Sequence, residues 1–148
     1  MTDNFKFIET HPAPEDFCRL RKIAGLSPRS LEAAKKGLPL SCYAVHVLHE
    51  GIPIGMGRVI GDGALNFEIA DVAVDPNFQG KGLGRAIMEH IMTWLGKNAW
   101  DGTYISLVAD VPALYEKFGF KKVTPDCEGM AISWKKTNAN DSGQPINK

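Results

Sequence analysis

The chain has 148 residues, of which 44% are hydrophobic and 23% charged, with 17 basic and 17 acidic side chains. This length predicts one domain, and this composition excludes a disordered or fibrous protein. Because the formal net charge is zero, the molecule as a whole is not attracted to nucleic acid or to acidic membranes. Any anion-binding site must therefore be local.

The number and spacing of the cysteines, and the length of the apolar runs, indicate in which cellular compartment the protein is expected. Cys18, Cys42 and Cys127 are odd in number and form no C-x-x-C pair, which favours free thiols in a reducing compartment over a disulfide framework. No apolar run exceeds four residues, so no membrane span is predicted, and the first residues lack the layout of a signal peptide. We expect a cytoplasmic protein.

Hydrophobic periodicity and turn residues predict the elements in chain order. They are a strand at 5–7, helices at 14–24 and 31–36, strands at 43–49, 52–60 and 65–74, a helix at 83–98, a strand at 104–109, a helix at 112–118 and closing strands at 121–123 and 130–135. Either Ser27 or Ser30 is expected to cap the second helix.

The order of these elements predicts the fold class. The strand–helix–strand unit over 65–109 needs a crossover that makes its two strands parallel, whereas the preceding hairpins are antiparallel. We predict an α+β fold with a mixed, mostly antiparallel sheet, a central parallel pair and flanking helices. Residues 1–136 are expected to form one domain, and the polar segment 137–148 a disordered tail.

A glycine-rich segment follows the strand at 65–74 and precedes the long helix. The unpaired N–H groups that begin a helix attract anions, and glycines allow a phosphate to approach the backbone. The P-loop pattern is absent here, and the dinucleotide pattern fails because its last position falls on Arg85 or Ile87. The pattern that is present is Q-x-x-G-x-G, from Gln79 to Gly84.

That motif resembles the pyrophosphate-binding loop of the GCN5-related N-acetyltransferase (GNAT) superfamily. A second stretch, Ala113-Leu114-Tyr115-Glu116-Lys117-Phe118-Gly119-Phe120, is similar to a later motif of the same family. The resemblance implies acetyl-CoA as cosubstrate. It implies cofactor contacts at Val72, Ala73, Val74, Gln79, Gly80, Lys81, Gly82, Leu83, Gly84 and Arg85, with the pantetheine arm along the strand backbone at the first three.

The resemblance also suggests two catalytic residues. Glu68 coincides with the general-base glutamate of the family's histone acetyltransferases, and a carboxylate is otherwise disfavoured within a strand. Asp71 is the second candidate, although strand alternation directs it to the face opposite Glu68, and a water chain is a third possibility. Tyr115 occupies the position of the family's general acid, and a protonated phenol can donate to the departing thiolate.

Other residues receive lesser roles. Asp110 stands where many relatives have an asparagine that touches the cofactor, and we expect it to cap the next helix. His46 and His90 have no cysteine or carboxylate at ligand spacing, so no metal site is predicted. The positions of the family's first helices and last strands suggest acceptor-pocket residues at Arg29, Tyr43, Arg58, Glu128 and Met130.

These features predict an N-acetyltransferase that moves an acetyl group to a primary amine by direct attack in a ternary complex. The acceptor is a small-molecule amine or a protein lysine, with no nucleic-acid or membrane partner, and a homodimer is possible. One alternative is a catalytically silent acetyl-CoA-binding sensor of the same fold. Another is a nucleotide-binding protein that uses the same glycine loop.

Overall fold

The computed structural model describes residues 4–136 and 142–145. The chain forms two compact units, Met1–Phe118 and Gly119–Lys148. The elements are β1 (Phe5–Ile8), α1 (Pro14–Ile23), α2 (Leu31–Gly37), β2 (Tyr43–His49), β3 (Ile52–Gly61), β4 (Asn66–Val74), α3 (Leu83–Asn98), β5 (Tyr104–Ser106), α4 (Pro112–Glu116), β6 (Trp134–Lys135) and β7 (Gln144–Pro145).

The first unit is built on a five-stranded sheet in the order β1-β2-β3-β4-β5. Consecutive strands from β1 to β4 pair antiparallel, and β4 and β5 pair parallel. This confirms the predicted α+β class with a mixed, mostly antiparallel sheet. The parallel pair lies at one end of the sheet instead of its centre, because β5 pairs with no further strand among the described residues.

Helix α3 covers one face of the sheet. It buries Leu83, Ile87, Met88, Ile91 and Leu95 at helical spacing. The helix lies close to β3 because that strand has glycines where the two meet: a Cβ added to Gly57 would stand 2.7 Å from Ile87 Cγ2 and 3.1 Å from Ile91 Cδ1. The glycines of β3 therefore allow α3 to pack closely on the strand, because they have no side chain at the contact.

Helices α1 and α2 cover the opposite face. Their apolar side chains share a core cluster with the sheet, formed by Phe17, Leu20, Ala34, Leu38, Met56 and Ala73. Ser30 caps α2 by accepting a hydrogen bond from the backbone N–H of Ala33 at 3.1 Å. Ser27, the other predicted cap, instead accepts hydrogen bonds from Arg21 and Arg29.

The closing strands were wrongly predicted. Residues 121–123 have no regular secondary structure, and within 130–135 only Trp134–Lys135 is a strand, paired with β7 in a separate two-stranded sheet. A short alternating segment does not specify its partner, because strand pairing is a non-local property. β5 and α4 also end earlier than expected, at Ser106 and Glu116.

The predicted tail lies mostly outside the described residues. Within 137–148, only 142–145 are described, and they contain β7. The single domain proposed over 1–136 stays a prediction.

Candidate functional site

Strand β4 extends well beyond its short pairing with β5. Their pairing covers only Asn66–Glu68 on β4 and Tyr104–Ser106 on β5. Beyond Glu68, the edge of β4 that faces β5 has no strand partner in the described part of the chain. Unpaired strand edges offer backbone donors and acceptors to an extended ligand.

A cleft of about 430 Å³ lies at this edge. Its walls come from the end of β4, the glycine loop with the start of α3, the segment after α1, and α4. The lining residues are Ala24, Leu26, Val72, Ala73, Val74, Phe78, Gln79, Gly80, Gly82, Leu83, Gly84, Asp110, Val111, Leu114 and Tyr115. The structure thus brings together the predicted strand residues, most of the glycine loop and Tyr115.

The glycine loop leads into the N-terminus of α3. Gly80 and Gly82 have φ values of 78° and 80°, a conformation that glycine adopts without steric cost. No described side chain caps the N-terminus of α3, so its first N–H groups and the positive end of its dipole lie uncapped where Gly82, Leu83 and Gly84 line the cleft. Gln79 donates from Nε2 to the carbonyl oxygen of Val74 at 3.0 Å, which ties the loop to the end of β4.

Two cations stand on the same turn but outside the cleft lining. Lys81 and Arg85 are both exposed, and Arg85 forms an exposed ion pair with Glu89 at 3.2 Å. An exposed pair of this kind is weak, so Arg85 can exchange it for a bound anion.

Asp71 occupies a β-bulge, and the predicted alternation of β4 is therefore wrong. Met56 pairs with Ala73 and Arg58 with Ala70, so two residues of β4 oppose Gly57 alone, and Asp71 has a φ of 59°. A bulge of this kind inserts one extra residue and redirects the side chains that follow. Asp71 consequently lies on the same face as Glu68, not on the opposite one.

The Asp71 carboxylate is buried between two guanidinium groups. Arg21 of α1 donates from Nη1 to one oxygen, and Arg58 of β3 donates from Nε to the other at 2.5 Å. Burial lowers the pKa of Arg21, and the attraction of Asp71 opposes that effect. Since both oxygens are engaged, Asp71 serves as an anchor that connects the bulge to α1, and it is a poor candidate for a base.

Glu68, unlike Asp71, is neither buried nor held by an arginine of the described residues. Its side chain is exposed and makes no hydrogen bond or ion pair with any described residue. It lies on the face covered by α1 and α2, because its pairing partner Ile60 is two residues from Arg58 on β3. Glu68 does not line the cleft, but its carboxylate is available to an acceptor that approaches from that face.

Tyr115 lies in α4 and its side chain lines the cleft. Burial raises the pKa of its phenol above the usual value, and the negative charge of Asp110 acts in the same direction. The hydroxyl is thus held in its protonated form and can act as a proton donor at neutral pH.

Asp110 does not cap α4, contrary to expectation. The N-cap position belongs to Val111, which makes no side-chain cap hydrogen bond, and Asp110 lines the cleft instead. Sequence reasoning also missed the apolar wall residues Ala24, Leu26, Phe78 and Leu114, whose residue types do not distinguish a cleft wall from a core.

Of the suggested acceptor-pocket residues, only two come together. Arg29 and Arg58 line a second cavity of about 140 Å³. Tyr43 does not lie with them: it is on the α3 face, stacked on Trp94 with ring centroids 5.6 Å apart, and it donates its hydroxyl to Glu9 at 2.8 Å. Glu128 and Met130 are exposed residues of the second unit.

Neither a metal cluster nor a membrane-spanning helix is found among the described residues. No group of three or more His, Cys, Asp or Glu side chains there could hold a metal ion. No helix in residues 4–136 and 142–145 is long and apolar enough to cross a bilayer.

Solved structures and curated relatives resemble this chain. A structure from Meticillin-resistant Staphylococcus aureus, the protein of unknown function SA2161, described as a probable acetyltransferase, is 46% identical with a TM-score of 0.84, covering 88% of this chain and 99% of that one. Serotonin N-acetyltransferase 2 of Oryza sativa is 39% identical over 85 residues, which are 55% of this chain and 41% of that protein. Histone acetyltransferase TAP1 of Glycine max is 40% identical over 79 residues, which are 52% of this chain and 33% of that protein.

The chain spans less than half the length of these curated relatives. The family model of the acetyltransferase (GNAT) domain matches residues 41–122, a range that contains β2 to α4 and most of the cleft wall. On this match, which covers the unpaired edge of β4 and the glycine loop, the chain belongs to the GNAT acetyltransferase family.

Proposed function

We propose that the protein transfers the acetyl group of acetyl-CoA to a primary amine by direct attack in a ternary complex. The observation that carries the proposal is the cleft itself, whose walls combine an unpaired strand edge, an uncapped helix start and a half-buried tyrosine. These are the three features that a long acyl carrier with a diphosphate and a thiolate leaving group needs.

The cleft residues fit the parts of acetyl-CoA. Val72, Ala73 and Val74 offer backbone groups at the free edge of β4, which suits an extended amide-containing arm. The N–H groups between Gln79 and Gly84 suit a diphosphate, and Lys81 and Arg85 add positive charge on the same turn. The N–H groups of the strand edge also suit the oxyanion that forms at the thioester carbon.

Two side chains would move protons. An alkylammonium with a pKa near 10.4 is neutral in only about one part in two thousand at pH 7, so a nearby base accelerates the attack. We assign that role to Glu68, which is exposed and unpaired among the described residues. Tyr115 would return a proton to the departing sulfur, and its raised pKa keeps the phenol protonated.

The proposal also covers the class of acceptor and the cellular compartment of the protein. The names of the relatives include serotonin and histone acetylation, which supports an amine acceptor, either a small molecule or a protein lysine. All three cysteines are free, which supports a reducing, cytoplasmic environment. A homodimer stays a prediction for sedimentation analysis.

The test is thiol release from acetyl-CoA in the presence of a panel of primary amines. We expect thiol to appear only with both substrates and to match the acetylated amine formed. Binding of acetyl-CoA without turnover on any amine would instead favour a silent sensor. Absence of binding would overturn the proposal altogether.

A further inference from the structure

Three arginines gather beside one carboxylate on the face of the sheet covered by α1 and α2. Arg21 and Arg58 both bind Asp71, and Arg29 contacts Ser27, the residue that Arg21 also binds. The positive charges of Arg29 and Arg58 both act on Arg21. Three cations against one anion leave an excess of two positive charges in this cluster.

A cavity of about 140 Å³ opens among these residues. Arg29 and Arg58 contribute its charged walls, and apolar atoms form the rest, from Phe17, Ala33, Ala34, Gly37 and Leu38. None of the described carboxylates lines it. A small pocket with two guanidinium groups on otherwise apolar walls is suited to a carboxylate or a phosphate.

Both arginines retain donors for a ligand. Arg58 gives Nε to Asp71 and Nη1 to Ser41 Oγ at 3.2 Å, while the bonds of Arg29 all use Nη1. A guanidinium has five N–H donors. Nη2 of Arg58, and Nε and Nη2 of Arg29, therefore have no partner among the described residues.

The register of the sheet relates this cavity to the proposed base. Arg58 pairs with Ala70, and Glu68 is two residues from Ala70 on the same strand face. Such diagonal neighbours lie about 7–8 Å apart across a sheet. An anion on Arg58 and an amine beside Glu68 can thus belong to one small molecule.

We propose that the acceptor is a small amine that also carries a carboxylate or a phosphate, and that Arg29 and Arg58 bind this anionic group while the amine faces Glu68. This inference rests on the proposed acetyltransferase function and specifies its substrate class. A protein lysine, which carries no anion of its own, would not use the cavity.

The first experiment compares kcat/KM for matched pairs of acceptors: amino acids against their amides, and phosphoethanolamine against ethanolamine. A charge-assisted hydrogen bond of about 1.5–3 kcal/mol corresponds to roughly 10- to 100-fold. We expect the anionic member of at least one pair to be preferred by that factor, and the two pairs distinguish carboxylate from phosphate. Equal or faster turnover of both uncharged members, or of a lysine peptide, would overturn the inference while leaving the acetyltransferase activity established.

The second experiment removes one guanidinium. Arg29→Gln should raise KM for the preferred anionic amine by about 10- to 100-fold, with a clearly smaller effect on the matched uncharged amine. Lys22→Gln is the control, since Lys22 is an exposed cation of α1 that lines neither cavity. Equal losses with charged and uncharged amines in Arg29→Gln would contradict a role in anion binding.

A binding measurement separates this inference from the proposed function. If no amine is acetylated, the acetyltransferase proposal fails. Calorimetry with CoA-saturated protein then still tests the cavity: the anionic member of a pair should bind the native chain more tightly and lose that advantage in Arg29→Gln. Equal affinity for the two members would refute the anion site directly.

Discussion

At the scale of single residues, Tyr115 shows how surroundings select a chemical role. A phenol in water already keeps its proton at pH 7. Burial in the cleft wall and the charge of Asp110 raise its pKa further, because both disfavour the phenolate. The residue is therefore prepared to donate a proton and is unsuited to accept one.

The substitution Tyr115→Phe should lower kcat by about 10²–10⁴ with little change in the affinity for acetyl-CoA, since only the donated proton is lost. In the native enzyme, any alkaline decline caused by loss of the Tyr115 proton should fall above its ordinary pKa of about 10. Steady-state kinetics across pH measures kcat and its alkaline decline, and calorimetry measures the affinity for acetyl-CoA.

Tyr104→Phe is the control, because it removes an exposed hydroxyl on β5, and it should behave like the native protein. An unchanged kcat in Tyr115→Phe would exclude Tyr115 as the proton donor.

Asp71 illustrates a buried charge whose value is structural. Its side chain is only 6% exposed and bridges two arginines from different elements. Replacing one partner of such a network leaves the other charges buried without compensation. The carboxylate therefore holds α1, β3 and the bulge together.

The substitution Asp71→Asn should lower the free energy of unfolding by about 3–5 kcal/mol, the usual cost of breaking a buried ion pair. Urea denaturation measures the change. Asp16→Asn removes the partner of Arg19 in a partly exposed pair and should cost less than about 1 kcal/mol. Similar losses in the two variants would show that the buried network contributes no more than a surface pair.

At the scale of elements, the site depends on how closely a helix approaches a strand. The contact of α3 with β3 passes over Gly57, where no side chain fits. The same helix begins at the glycine loop, so its distance from the sheet also positions the N–H groups of the cleft.

Gly57→Ala should destabilise the protein by about 1–3 kcal/mol, because the new methyl group would overlap Ile87 and force repacking. Gly96→Ala is the matched control in the exposed C-terminal part of α3, where a Cβ meets nothing within 4 Å. It should stabilise by up to about 1 kcal/mol through helix propensity. Chemical denaturation gives both values, and a common sign for the two changes would contradict the packing argument.

At the scale of the whole molecule, the formal net charge is zero. Electrostatic attraction of an anionic ligand must therefore come from local clusters of positive charge. The positive end of α3 and the arginine cluster lie in separate cavities, and acidic residues elsewhere balance them. Two anionic ligands, as proposed above, would thus be attracted by local charge and would need no strongly basic surface.

Coenzyme A at 100 times its Kd should raise the free energy of unfolding by about 2.7 kcal/mol, as measured by thermal or urea denaturation. Gly82→Ala, at a φ of 80°, should reduce this stabilisation because it alters the helix start. Gly63→Ala, at a φ of 91° in open space, carries comparable strain outside the cleft and should leave it intact. Stronger stabilisation by ATP or NAD than by coenzyme A would support the nucleotide-binding alternative.

Local patterns in the sequence determined much of this protein. The period of Leu83, Ile87 and Ile91, the glycines between Gln79 and Gly84, and the proline-led start of α1 are signals within one element, and the structure has helices and a loop where they predicted them. The order of elements also determined the parallel pairing of β4 and β5, because a helical crossover returns the chain in the same direction.

Only the tertiary structure decided the rest. The face of Asp71 depends on a bulge opposite Gly57, the partner of Trp134 depends on pairing with Pro145, and the separation of Tyr43 from Arg29 and Arg58 depends on which face of the sheet each side chain enters. Each is a relation between segments distant in sequence. Local propensity and spacing carry no information about such relations, since register and packing are settled by the burial of side chains from all elements together.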